Sequence, residues 1–151
     1  MNRRLLIIVL MACLLPLGVQ AQQGTFRFAQ LTDIHLTPNN PNPTEDLLRS
    51  VAQINATDSI DFVLVTGDLT EEGDRTTMEK VKSCLDLLKV PYHVVLGNHE
   101  TKWSDSGCTA FGEIFGGERF EFEHKGFLFL GFNSGPLMRM AYGLSLIHIS
   151  E

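Results

Sequence analysis

Basic residues are in short supply. Lys and Arg number 12 against 18 Asp and Glu, for a net charge of −6 at neutral pH. Arg3 and Arg4 sit in what reads as a leader; without residues 1–21 the balance is ten basic against 18 acidic residues, or −8. So acidic a chain offers no basic patch for nucleic acid or anionic membranes. Phosphate-bearing small molecules stay open, because bound cations reverse the charge of an acidic site. Cysteine is scarce too, with Cys13, Cys84 and Cys108 alone, so no disulfide framework is present. Cys84 falls on the apolar face of an amphipathic segment and reads as a buried free thiol, with a Cys84–Cys108 bridge as the alternative. Beyond residue 21 no apolar run approaches the roughly 20 residues of a membrane span. Internal repeats and low-complexity segments are missing. No glycine-rich loop follows the first strand, where Thr32-Asp33-Ile34-His35 stands, and this sets aside a doubly wound nucleotide-binding reading.

The N-terminus has the layout of a secretory signal peptide. Met1 to Arg4 gives a basic start, Leu5 to Leu17 an apolar run, and Gly18-Val19-Gln20-Ala21 small residues where signal peptidase cuts. The expectation is export, to a periplasmic or extracellular location, with no span left after cleavage. An uncleaved anchor is the alternative. Cys13 lies inside the apolar run and reads as part of the leader.

After the leader the pattern is strand, helix, strand, helix, strand. Residues 26–32 alternate with a β period, while 60–66 and 90–96 are near-continuous apolar runs, the mark of strands covered on both faces. Residues 44–57 place Leu47, Leu48, Val51 and Ile54 on one helical face, after Pro43 and a Thr44 cap. Residues 76–89 do the same with Met78, Val81, Leu85 and Leu88, and Thr76 and Glu79 have capping-box spacing. This alternation predicts an α/β fold with a parallel sheet. Gly107 to Gly117 holds a short helix at best. Residues 119–124 and 127–133 read as a strand pair turning at Lys125-Gly126, the start of a further sheet.

Each of the three strands runs into residues that suit a metal: Asp33-Ile34-His35, Gly67-Asp68, and Gly97-Asn98-His99-Glu100. In open α/β sheets the loops at the carboxyl ends of the strands share one crevice. Asp33, Asp68 and Asn98 should therefore meet in space although 35 and 30 residues separate them. A carboxylate beside an imidazole suits a divalent ion of the Mn, Fe or Zn kind. Asp68 has two oxygens with which to bridge two ions, and Asn98 adds a neutral oxygen. Gly67 and Gly97 let the backbone turn where a side chain would block the ions. A dinuclear site of this sort activates water to hydroxide and clamps both oxygens of an in-line displacement. His99 is placed to protonate the leaving oxygen or to hold a phosphoryl oxygen. Asp-x-His and Gly-Asp are ordinary turn sequences. Gly-Asn-His-Glu is rare, and the ordered set of three carries the reading.

In FAQLTDIHL, FVLVTGDLTEEG and VVLGNHE the chain resembles the calcineurin-like metallophosphoesterases over about residues 26–135. The resemblance implies a four-layer α/β/β/α sandwich that hydrolyses a phosphate-ester small molecule, either a monoester or a diester. It also implies two divalent ions held by Asp33, His35, Asp68 and Asn98, with Asp68 bridging and His99 acting on the phosphoryl group. The family's remaining ligands come from a Gly-His pair and a Gly-His-x-His motif further on. Neither occurs here, and the later histidines, His124 and His148, match neither pattern. The expectation is the N-terminal part of a phosphoesterase domain over 26–141, inactive in this form. Residues 142–151 read as an adaptor-like tail. A non-catalytic metal-binding or surface-interaction module on the same fold is the competing reading.

Some residues have duller readings. His93 reads as a packed core histidine and His124 as a solvated one. Glu71, Glu72 and Asp74 read as a solvated loop and helix start. Asn55 heads a glycosylation sequon inside a predicted helix, which reads as coincidence. Asn133 and Ser134 are candidates for substrate contact, and Lys102 and Trp103 for the substrate entrance.

Overall fold

A computed structural model describes residues 24–134 except 103, 105 and 107. The leader, the tail from 142 and Trp103 lie outside the described residues. The elements are β1 (Phe28–Leu31), α1 (Asn42–Ala56), β2 (Phe62–Thr66), α2 (Arg75–Leu85), β3 (Tyr92–Val95), α3 (Asn98–Lys102), α4 (Thr109–Phe115), β4 (Arg119–His124) and β5 (Phe127–Phe132). Strands β1, β2 and β3 form a parallel sheet in that order, and β4 pairs antiparallel with β5.

The two faces of the parallel sheet are covered differently, as the period of two along each strand requires. On one face Val63, Val65 and Val94 pack with Leu47 and Val51 of α1, Met78, Val81, Cys84 and Leu85 of α2, and Ala110 and Phe111 of α4. On the other, Phe62 is 2% exposed and meets Phe28, Phe122 and Phe129 at centroid distances of 5.5, 5.1 and 4.9 Å. The described residues thus supply a helical layer, a parallel sheet and an antiparallel hairpin. This mixed α/β order matches the metallophosphoesterase-like architecture expected. No helix among them is long and apolar enough to cross a membrane.

Helix boundaries shift from expectation for physical reasons. Helix α1 starts at Asn42, not Thr44. Pro43 belongs in its first turn, where the missing N–H costs nothing, and Asn40 Oδ1 accepts from Asn42 N at 3.0 Å. Helix α2 is capped by Asp74, whose carboxylate accepts from Thr77 N at 2.9 Å, so the Thr76–Glu79 box does not form. It ends at Leu85 instead of residue 89. The Asn55 amide bonds Leu87 O and Lys89 N, both at 2.8 Å, and holds the chain in a turn there. Both ends of that amide are thereby engaged in the fold. Cys84 and Cys108 are buried free thiols. Lys125 and Gly126 turn the hairpin with φ of 49° and 84°, the paired left-handed conformation of a two-residue turn.

His93 is stacked on Phe122 at 3.8 Å, and burial lowers its pKa, as a core histidine should behave. His124 is not solvated. It is half-buried edge-on to Phe26 and Phe62, with Nε2 3.2 Å from Asp61 Oδ1. The hairpin's inward face carries it against the sheet, where Asp61 precedes β2.

Candidate metal centre

The loops after β1 and β2 are built in an unusual backbone conformation. Asp33, His35 and Asp68 have φ of 54°, 49° and 50°. Asp and His tolerate this region better than most residues, yet each such position costs roughly 1–2 kcal/mol. Backbone bonds between the two loops hold the arrangement: Asp33 N to Gly67 O at 3.2 Å, and His35 N to Asp68 O and Leu36 N to Leu69 O, both at 3.0 Å. Three strained residues pinned by neighbouring strands mark a functional site more often than a structural one.

The third loop is locked to the second by close approach. A Cβ on Gly67 would lie 2.6 Å from Gly97 Cα, and one on Gly97 would strike the Asp68 carboxylate and amide. The two glycines are therefore needed for the loops to touch, more directly than for room around an ion. Asp68 Oδ1 accepts from His99 N at 3.1 Å. Behind it Glu100, fully buried, accepts from Thr70 N at 3.0 Å, Thr70 Oγ1 at 3.2 Å and Gly97 N at 2.8 Å. Its carboxylate replaces hydration with three protein donors and fixes the spacing of the two loops.

The side chains converge. Asp33, His35 and Asp68 can each offer one ligand atom with all three atoms within 4.8 Å of one another, and so can His35, Glu71 and His99. His35 Nε2 is 3.8 Å from Asp33 Oδ1, and its Nδ1 is 3.0 Å from Glu71 Oε2. The His35 and His99 rings meet edge to face at 4.6 Å. Asn98 opens α3 beside Gly97 and lines a cleft of about 810 Å³ together with His99, Glu71, Glu72 and Arg75. Arg75 is the cation there. Glu113, in contact with it, and Glu79 raise its pKa and keep it charged. Asn133 follows β5 half-buried.

These donors fit divalent cations on two grounds. Carboxylates, imidazoles and an amide are the set that borderline and hard divalent ions take. Asp33, His35 and Asp68 also bring one ligand atom each within 4.8 Å of one another. Two residues gained contacts that sequence did not foresee. Glu71 lies in the exposed loop expected, yet its carboxylate approaches His35 and its carbonyl receives a bond from His99 Nδ1 at 2.6 Å. Glu100, read only as part of the third motif, ties two loops together. The available signals were an acid three residues after Asp68 and another two after Asn98.

The calcineurin-like phosphoesterase family profile matches residues 26–148. A Rhodopseudomonas palustris protein named as a probable cyclic nucleotide phosphodiesterase is 33% identical over 97 residues, which cover 60% of this chain and 33% of that one. A Moraxella catarrhalis protein of the same name is 34% identical over 77 residues, 50% of this chain and 28% of that one. Human tartrate-resistant acid phosphatase type 5 is 29% identical over 120 residues, 72% of this chain and 37% of the phosphatase. The chain spans about a third of the length of the curated relatives it matches. With three strand-end motifs meeting at one rim and the profile covering most of its length, the chain belongs to the calcineurin-like phosphoesterase family.

Proposed function

We propose that the complete protein hydrolyses a phosphate ester, monoester or diester, at a pair of divalent cations held by Asp33, His35, Asp68 and Asn98. The observation that carries this is the convergence of Asp33, His35 and Asp68 ligand atoms within 4.8 Å, from two loops in left-handed conformations. Asp68, with its two carboxylate oxygens, would be the ligand that the two ions share. Bound cations supply the charge that activates water and stabilises the phosphoryl oxygens. The rest is done by the chain. His99 Nδ1 donates to the Glu71 carbonyl. Nε2 is then the nitrogen that, in the imidazolium form, hands a proton to the leaving oxygen or holds a phosphoryl oxygen. The same proposal places the protein outside the cytoplasm, on the strength of the leader-like residues 1–21.

The test is to purify the complete protein with Mn or Zn, measure bound metal, and assay mono- and bis-nitrophenyl phosphates. Both esters belong in the assay because the relatives' names span both classes. Two equivalents of metal with turnover of at least one ester are expected. Metal binding with cleavage of neither would remove the reaction class.

A further inference from the structure

We propose that Thr70 is a positioning residue of this centre, whose one buried hydroxyl ties the cleft wall at residues 71–74 to the loop carrying Asn98 and His99. The inference rests on the phosphoesterase reading and concerns a residue outside the four expected ligands. Thr70 is fully buried, and its hydroxyl is used in both senses. Oγ1 accepts from Gly73 N at 2.9 Å and donates to Glu100 Oε1 at 3.2 Å. The Thr70 amide donates to the same Glu100 oxygen at 3.0 Å, while Glu100 Oε2 takes Gly97 N at 2.8 Å. An unbroken run of bonds thus crosses from Gly73 through Thr70 and Glu100 to Gly97. The bonds on both sides of Glu100 donate toward its carboxylate, and a charged acceptor strengthens the links that end on it.

The packing explains why the link matters to the cleft. Gly73, at φ of 65°, is buried where a Cβ would lie 2.8 Å from His99 O and 3.0 Å from Ser104 Cβ. The turn therefore rests directly on the third loop. Glu71, Glu72, Gly73 and Asp74 line the cleft together with Asn98, His99, Ser104 and Ser106, so the seating of this turn sets the cleft's width. The ends of the turn are held elsewhere, by Glu71 N on Leu36 O at 2.9 Å and by the Asp74 cap of α2. An exposed bond between the same two loops runs from His99 Nδ1 to the Glu71 carbonyl, and Thr70 makes the buried one. A hydroxyl can accept and donate at once. Valine fills the same outline and does neither, which would leave the buried Gly73 amide without its acceptor. A purely structural role for Thr70 is the competing outcome.

The experiment compares wild type, T70V and T70S of the complete, Zn-loaded protein by amide hydrogen exchange, bound metal, and kcat and KM on the nitrophenyl esters. In T70V the 71–74 segment should exchange roughly tenfold faster, the equivalent of one lost hydrogen bond, while β1, β2 and β3 exchange as in wild type. Its kcat should fall about tenfold at unchanged metal content, as small misplacements of a site wall do. T70S keeps the hydroxyl and should restore both the exchange and kcat. T70A, which also lacks the hydroxyl, takes the place of T70V if that variant does not fold. Unchanged exchange at 71–74 in T70V overturns the proposal. Faster exchange there with kcat unaltered makes Thr70 merely structural, and so does a uniform rise in exchange along the whole chain; either result overturns it. T70S as impaired as T70V assigns the effect to packing and overturns it equally. Should wild type cleave neither ester, the reaction falls, while the exchange comparison still upholds or overturns the bond between the loops.

Discussion

Two clusters of aspartate and histidine lie at opposite ends of the same parallel sheet, and their chemistry differs. At the amino end Asp61 accepts from Arg27 N at 2.9 Å and from Lys125 Nζ at 2.8 Å, with His124 beside it. Lys125 foremost, then the Arg27 amide, hold its pKa down at about 2. At the carboxyl end Asp33, Asp68 and Glu71 surround His35 and His99. Among the described residues no Lys or Arg forms an ion pair with those three acids. The first cluster is a structural clasp, in which Lys125 and the Arg27 amide neutralise Asp61 and join the hairpin to the sheet. The second has backbone strain, close-packed glycines and unbalanced negative charge. Acids that the fold compensates internally stabilise it; acids gathered without compensation leave room for cations from outside.

The sharpest way to break this comparison is Asp68→Ala. Removing the shared carboxylate should lower kcat/KM of the complete protein by on the order of 10³-fold, or ~4 kcal/mol, with metal content falling in parallel. Full activity in this variant would sink the assignment of the rim. Phe62→Ala strikes the aromatic face instead. It should cost about 3–5 kcal/mol of stability, seen as a lower midpoint in denaturant, while metal affinity of the folded fraction stays near wild type. Glu100→Gln sharpens the link between the loops. An amide NH₂ cannot accept, so one of its three donors is orphaned, at about 1–3 kcal/mol in a denaturant melt.

The smallest effect belongs to the clasp. Asp61 has a folded pKa near 2 against an ordinary 3.8, so its stabilising contribution is present above pH ~3.8 and lost as pH falls through about 2. Melting temperatures of wild type and Asp61→Asn should differ at pH 5 and converge near pH 2. The difference should shrink in high salt, as exposed ion pairs do. A gap that persists unchanged at pH 2 would assign the effect to packing.

Much of the frame was readable from periodicity. The order of strands and helices, the buried residues Leu47, Val51, Met78, Val81 and Leu85, and the hairpin turn at Lys125-Gly126 follow from local pattern. Helix ends did not, because Asn40, Asp74 and Asn55 compete for backbone groups in ways that spacing alone does not rank. Glu71 looked like any acid in a polar loop. Its place beside the two histidines depends on a fold that brings together rings 28 and 36 residues away along the chain. His124 looked solvated for the same reason, since Asp61 is its neighbour only in three dimensions.

By itself the sequence determined which residue types end each strand, and so the kind of chemistry available there, because strand period and motif order are local properties. Only the tertiary structure decided that Asp33, His35 and Asp68 stand within one ion's reach, that Gly97 must yield its side-chain space to Asp68, and that Glu71 turns toward the histidines. Those outcomes depend on loop backbones held in left-handed conformations by bonds between neighbouring strands, and no one-dimensional pattern encodes such bonds.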